Sequence, residues 1–275
     1  MRKLLGASMA VLLAAGCAPA TRAGALAAGP APTVSESASP SPSGSAAPSV
    51  PPSAPAGLRV IDYGPAPKGF PADPEPMSTT LLTEGLHPTT KIAVYDAVGG
   101  KARAYLAPTI SGVEITMPVV DRKPGWVAIL LPSVNRTIGW VPVGGWTSVA
   151  LTDQLVLHRK AHRLEWYRNG TLRDGWTVTI GSSATPTPLG RTFVLGRGRL
   201  AGAVYAGIDV LALGSVPDRP DAVATGLRGA HIGIHSWYRD EFGRNVSNGC
   251  IRVPQPGQRR LVDEVRAGTE VVVLD

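Results

Sequence analysis

The chain has 275 residues, 44% of them hydrophobic, enough to build cores for two modest domains and too much for a protein disordered throughout. Gly 32 and Pro 26, beside 17% charged and 5% aromatic residues, exclude a largely helical protein and favour short strands joined by turns. A net charge of +7 suits an anionic surrounding such as a cell wall or lipid headgroups, but no Lys/Arg block is interleaved with aromatics, so nucleic acid is not an expected partner.

Residues 1–17 read as a secretory signal: Arg2 and Lys3 precede an apolar run too short to cross a bilayer, and small residues lead to Cys17. The run LLAAGC is similar to a lipoprotein signal, in which Cys17 becomes the lipidated first residue and gives the protein a membrane anchor. The alternative is ordinary cleavage further on, for example after Ala25-Leu26-Ala27, which releases a soluble protein. Either route leaves Cys250 as the only thiol of the exported chain, so it pairs between molecules or reacts.

Residues 18–57 are nearly all Ala, Pro, Ser, Gly and Thr and cannot bury enough apolar surface to offset backbone ordering, so they are expected to be a disordered tether. Extended as polyproline II, such a tether reaches on the order of 100 Å. Five prolines between residues 65 and 76 make 58–87 an irregular lead-in segment.

The stretch 88–148 is expected to be a small β-barrel. A Gly-Gly turn splits KIAVYDAVGGKARAYLAP into two strands, and VEITMPVVD, GWVAILLP and TIGWVPVGGW supply the rest. Its two Gly-Trp-Val strands resemble the SH3-like modules found beside bacterial cell-wall enzymes. Trp126 and Trp140 are better explained as core than as a ligand platform.

The second domain, 149–275, is expected to be mainly β with one short helix. Asn169-Gly170 suits a type I′ hairpin turn, TPTPLG at 185–190 forms a rigid loop, and RTFVLG is a strand. Near the end PGQRRLVDEVRAG reads as a helix stopped by Gly268, followed by the strand EVVVL.

Two short strands carry the chemistry. In AHIGIHS, Ile232 and Ile234 alternate with His231, Gly233 and His235; in GCIRV, Ile251 and Val253 alternate with Cys250 and Arg252. If both apolar faces enter one core, the polar faces line one cleft and bring an imidazole toward a thiol. A thiol with an ordinary pKa of about 8.5 is a poor nucleophile until a neighbouring base takes its proton. Gly249 lets the backbone approach substrate, and the N–H groups of Asn248, Gly249 and Cys250 are oxyanion donors to test. Trp237 and Tyr238 lie in the loop 237–246 between base and nucleophile, where they either touch substrate as part of a lid or anchor the loop. His231 shares the face of His235 and is a candidate to position substrate, but like His87, His158 and His162 it reads first as a structural or surface residue. There is no His-Glu-x-x-His, Cys-x-x-Cys or Gly-x-x-x-x-Gly-Lys motif, and no metal or other cofactor is expected.

IGIHS followed by SNGCIR resembles the signature of the YkuD-type L,D-transpeptidases over roughly 149–275, with the SH3-like module as a familiar companion. The resemblance implies a YkuD-type β-sandwich in which Cys250 is the acylated nucleophile and His235 its base. Ser236 would orient the ring through its carbonyl. Ser247, Asn248 and Gly249 would shape the nucleophile loop, and Arg252 would hold the cleft or bind a substrate carboxylate. It further implies peptidoglycan stem peptides as substrates, carbapenem-type β-lactams as inhibitors, and a location outside the cytoplasm, lipid-anchored or released to the wall. Two readings remain beside it: an L,D-carboxypeptidase or other cell-wall cysteine hydrolase, and a non-catalytic wall-binding lipoprotein.

Overall fold

The structure, a computed structural model, describes residues 52–64, 67–133, 136–198, 203–214 and 232–275. Cys17 and His231 lie outside the described residues, as does the greater part of the expected tether.

Nine strands precede the second domain: β1 (Glu84–Pro88), β2 (Ile92–Tyr95), β3 (Ala102–Leu106), β4 (Thr109–Ile110), β5 (Val113–Glu114), β6 (Met117–Lys123), β7 (Trp126–Leu130), β8 (Ile138–Pro142) and β9 (Trp146–Ala150). Seven of them form one sheet in the order β3-β2-β8-β7-β6-β1-β9, while β4 and β5 make a separate hairpin. Alternation along β3 buries Ala102, Ala104 and Leu106 on one face, and β7 is buried throughout, so the sheet wraps its own core. Trp126 is buried in a separate small cluster with Tyr95 and Ala102, its ring edge-on to Tyr95 at 5.1 Å, and the half-buried Trp140 packs against both clusters. Among the described residues the sheet's edges, β3 and β9, are not paired with each other.

The expected limits of this module shift outward, because β1 pairs with β9 over Glu84–Pro88 and Trp146–Ala150. Order also begins before Leu58. The carbonyls of Pro52 and Ala54 accept the hydroxyls of Tyr95 and Tyr105 at 2.7 and 3.2 Å, which holds the last residues of the expected tether against the sheet.

The lead-in segment works as a strap. Ile61 N–H donates to the Tyr105 carbonyl (2.7 Å), and Ile138 N–H donates to the Pro71 carbonyl (2.9 Å). Asp73 then receives a two-pronged hydrogen bond from Arg191 of the second domain, at 2.9 and 2.6 Å, with both side chains buried. Prolines that forbid regular structure leave backbone groups free for such cross-links.

The second domain contains β10 (Asp153–His158), β11 (Arg163–Arg168), β12 (Thr171–Thr177), β13 (Ile180–Gly181), β14 (Gly190–Gly198), β15 (Val210–Leu213), β16 (Gly233–His235), β17 (Asn245–Ser247), β18 (Ile251–Arg252) and β19 (Glu270–Leu274). The single α-helix among the described residues is α1 (Gln255–Glu264). Asn169 and Gly170 take φ of 50° and 74°, the left-handed pair that turns β11 back into β12. Eight strands run in the order β12-β11-β10-β19-β14-β15-β16-β18. β14 serves two sheets: its first half pairs with β19, and past a register shift between Val194 and Gly196 its second half pairs with β15. A bulge of this kind lets one strand turn a sandwich corner. Val194 of β14 lies in a core with Leu155, Leu157, Ile234, Ile251 and Val273, while Phe193 and Leu195 of the same strand enter the core of the preceding sheet.

α1 closes that core with Leu261 and Val262. It ends earlier than the sequence predicts: Val265 turns to extended backbone while its N–H still reaches the Leu261 carbonyl, and Gly268 (φ 89°) belongs to the next turn. The buried Gln258 amide of α1 donates to the carbonyls of Asp209 and Ile234 at 2.9 and 3.0 Å and so pins β16.

Candidate active site

β16 and β18 are parallel neighbours, with Ile234 opposite Ile251 and His235 opposite Arg252. Both isoleucines are fully buried in the domain core, so alternation places His235, Cys250 and Arg252 on the other face. Cys250 stands one step before β18, and the Gly233 N–H donates to its sulfur. The thiol and the imidazole therefore occupy successive positions on adjacent strands.

His235 is only 5% exposed. Its Nδ1 lies 2.6 Å from the Ser236 carbonyl oxygen, which can only accept, so Nδ1 carries the proton and the neutral ring keeps a free lone pair on Nε2. Burial lowers its pKa from 6.5 to about 4; the Ser236 carbonyl opposes that shift and the Arg252 charge adds to it. The buried Ser236 hydroxyl donates to the Tyr205 carbonyl at 2.5 Å. Cys250 is a free, half-buried thiol; crowding by protein atoms raises its pKa, while the Gly233 N–H and Arg252 pull it down. The resting pair is then thiol and neutral imidazole, not thiolate and imidazolium.

The loop 247–250 is braced from within and from below. Ser247 Oγ donates to the Cys250 carbonyl (2.6 Å) and accepts from the Gly249 N–H (3.2 Å). That N–H is therefore engaged, which removes Gly249 from the expected oxyanion donors. Its φ of 108° explains the glycine on conformational grounds. From below, Thr187 Oγ1 donates to the Gly249 carbonyl (2.9 Å) and accepts from the Gly181 N–H (2.9 Å). Thr185 Oγ1 donates to the Ser247 carbonyl at 3.2 Å. The TPTPLG loop packs so closely on Gly181 that a methyl there would stand 2.2 Å from the Thr185 carbonyl.

Between His235 and Cys250, the segment expected to form a lid is stitched to a strand edge. β17 pairs with β13, Gly243 N–H donates to the Val178 carbonyl (3.0 Å), and Ile180 N–H donates to the Arg244 carbonyl (3.1 Å). Trp237 packs inward, 5.7 Å from both the His235 and Tyr205 rings, whereas Tyr238 is 52% exposed and flanks Trp237 at 5.2 Å. The Arg252 guanidinium lies 4.1 Å over the Trp237 ring, and its Nη1 donates to Glu241 at 2.8 Å. Asn248 is exposed at the turn before Gly249.

Sequence reasoning missed Tyr205, whose ring meets His235 edge-on at 5.1 Å, and Glu241. Neither lies in a periodic stretch, and the only sequence signal was proximity of Glu241 to His235 and Cys250. His87 bonds the Ile115 carbonyl and His162 bonds Asn245, so both rings have structural partners of their own.

Residues 152–273 match the family model of YkuD, the L,D-transpeptidase catalytic domain. The C-terminal domain is a YkuD domain. Among solved structures, the chain is similar to the catalytic domain of an E. faecium L,D-transpeptidase acylated by ertapenem (21% identity, 45% of this chain and 98% of that one, TM-score 0.34). It is also similar to Mycobacterium tuberculosis L,D-transpeptidase 1 (20% identity, 50% of this chain and 78% of that one, TM-score 0.34) and to an L,D-transpeptidase from Mycobacterium smegmatis (15% identity, 82% and 96%, TM-score 0.36). None of the curated proteins matches the chain. In this YkuD domain His235 ends β16 and Cys250 stands immediately before β18, with the TPTPLG loop bracing the turn at Gly249.

Proposed function

We propose that the chain is a peptidoglycan L,D-transpeptidase that works through an acyl-enzyme on Cys250. The observation that carries this reading is the shared face of His235 and Cys250 together with the ring's Nδ1–H tautomer, which reserves Nε2 for proton transfer.

In the first half-reaction the Cys250 sulfur attacks the carbonyl carbon between the diamino acid at the third stem position and the terminal D-alanine, while its proton passes to His235 Nε2. The N–H groups of Asn248 and Cys250 are the donors assigned to the developing oxyanion, since the Gly249 N–H is engaged by Ser247. Collapse breaks the C–N bond, the imidazolium protonates the departing D-alanine amine, and a thioester remains. In the second half-reaction the amine of another stem attacks the thioester and gives its proton to His235. The C–S bond breaks, the thiol recovers its proton, and a new amide crosslinks two stems. Water as acceptor would make the same site an L,D-carboxypeptidase.

The other parts of the reading follow from the sequence. Residues 84–150 serve as an SH3-like module beside the YkuD domain, and the tether places both in the wall, anchored through lipid on Cys17. Carbapenems suit the site because their strained amide offers the thiol an acyl carbon without a departing amine. Purified protein incubated with a synthetic tetrapeptide stem is expected to release D-alanine and yield a crosslinked dimer by mass spectrometry. Release without dimer assigns the carboxypeptidase reaction, and an unchanged stem contradicts both.

A further inference from the structure

Resting on the acyl-transfer reading above, we propose that Glu241 is a positioning residue that locks Arg252 flat against Trp237 and thereby holds the 236–244 loop packed on His235. The contacts run in a chain. Glu241 Oε2 accepts from Arg252 Nη1 at 2.8 Å, and both side chains are largely buried. The guanidinium stacks 4.1 Å over Trp237, whose ring is 5.7 Å from His235. Tyr205 completes the cluster, edge-on to both rings at 5.1 and 5.7 Å.

Glu241 is itself held from two directions. Thr179 Oγ1 donates to its carbonyl at 2.6 Å, and the Thr179 backbone exchanges two hydrogen bonds with Arg252, at 3.0 and 2.9 Å. Carboxylate and guanidinium thus meet on a fixed frame, and a charge-assisted bond in a partly dry site is stronger and more directional than a neutral one. Arg252 Nε is buried without a partner, so the Glu241 bond and the Trp237 face are what define the guanidinium's orientation. With the carboxylate removed, Arg252 keeps only the Cys250 thiol and the Tyr205 and Tyr238 hydroxyls as ionisable neighbours, and nothing holds its guanidinium flat over Trp237. This assigns Arg252 to the architecture of the cleft, with one donor edge already satisfied by protein. It also gives the exposed Tyr238 side of the loop a rigid base.

Glu241→Gln and Glu241→Asp separate charge from shape. In the purified protein, Glu241→Gln is expected to reduce the first-order rate of carbapenem acylation by on the order of 10- to 100-fold, the scale of misplacing a reacting group by an ångström. The half-saturating carbapenem concentration should change little, and Glu241→Asp should recover most of the rate. Amide hydrogen exchange in 236–244 is expected to quicken in Glu241→Gln while exchange in β10 and β19 stays as in the wild type. Wild-type rate and loop exchange in Glu241→Gln would overturn the proposal, as would equal losses in the Gln and Asp variants with unchanged exchange. If the wild type itself takes no adduct, the transpeptidase reading falls, and the exchange comparison still decides whether Glu241 holds the loop.

Discussion

Replacing His235 with alanine is expected to slow acylation of Cys250 by about 10²- to 10⁴-fold, the range for losing a positioned general base. The effect is large because the thiol starts protonated: burial raises its pKa, and an imidazole held near pKa 4 does not form a standing ion pair with it. Proton transfer must therefore accompany attack, and His235 Nε2 is the group left free for it by the Ser236 contact. The same burial sets the pH dependence. Because the folded pKa is about 4 against an ordinary 6.5, the ring stays in its basic form across the mildly acidic range, and the acid limb of the acylation rate should fall near pH 4. Stability has the matching sign: the contribution of neutral His235 is complete above pH 6.5 and is lost as pH falls through about 4. Stopped-flow acylation from pH 3 to 9 measures the limb, and a midpoint at the ordinary histidine value would contradict a neutral buried ring.

Replacing Asp73 with alanine is expected to destabilise the protein by about 3–5 kcal/mol, since it leaves the Arg191 charge buried without its partner. Arg191 and Asp73 are only 3% and 1% exposed, so solvent cannot substitute for the lost carboxylate. Glu270 moderates the loss. It is fully buried, 3.8 Å from Arg191, and burial raises its pKa from 4.5 to about 7 despite the Gln154 hydrogen bond and the Arg191 charge. In the wild type its stabilising contribution is complete below 4.5 and fades as pH rises through 7. Without Asp73 it becomes the one carboxylate facing Arg191, ionises more readily and fades less. The stability gap between Asp73→Ala and wild type should therefore narrow as pH rises from about 5 to about 8. Urea unfolding at several pH values tests both statements; a gap below 1 kcal/mol throughout would show that the strap is dispensable.

Local signals account for what could be read without coordinates. The Asn169-Gly170 turn and the alternation of Ile234 with His235 and of Ile251 with Arg252 are short-range facts, and each survives as a left-handed turn or a buried face. The parallel register that joins the last two strands depends on the sandwich as a whole, and alternation alone does not specify it. Polar contacts between distant residues leave no periodic trace. Arg191 and Asp73 are 118 positions apart, and Thr187 reaches the Gly249 carbonyl across 62. A proline-rich lead-in therefore read as irregular backbone, and TPTPLG as a rigid loop, though one ties the domains together and the other supports the nucleophile. Tyr205 was out of reach for a further reason: it ends a three-residue 3₁₀ turn, where no face repeats.

The central claim is that Cys250 is an acylated nucleophile, and intact mass spectrometry of the purified protein before and after a carbapenem tests it most directly, with Cys250→Ala alongside. A single stoichiometric adduct on the wild type and none on Cys250→Ala is the predicted result. An unmodified, folded wild type, or an adduct that persists in Cys250→Ala, would contradict it.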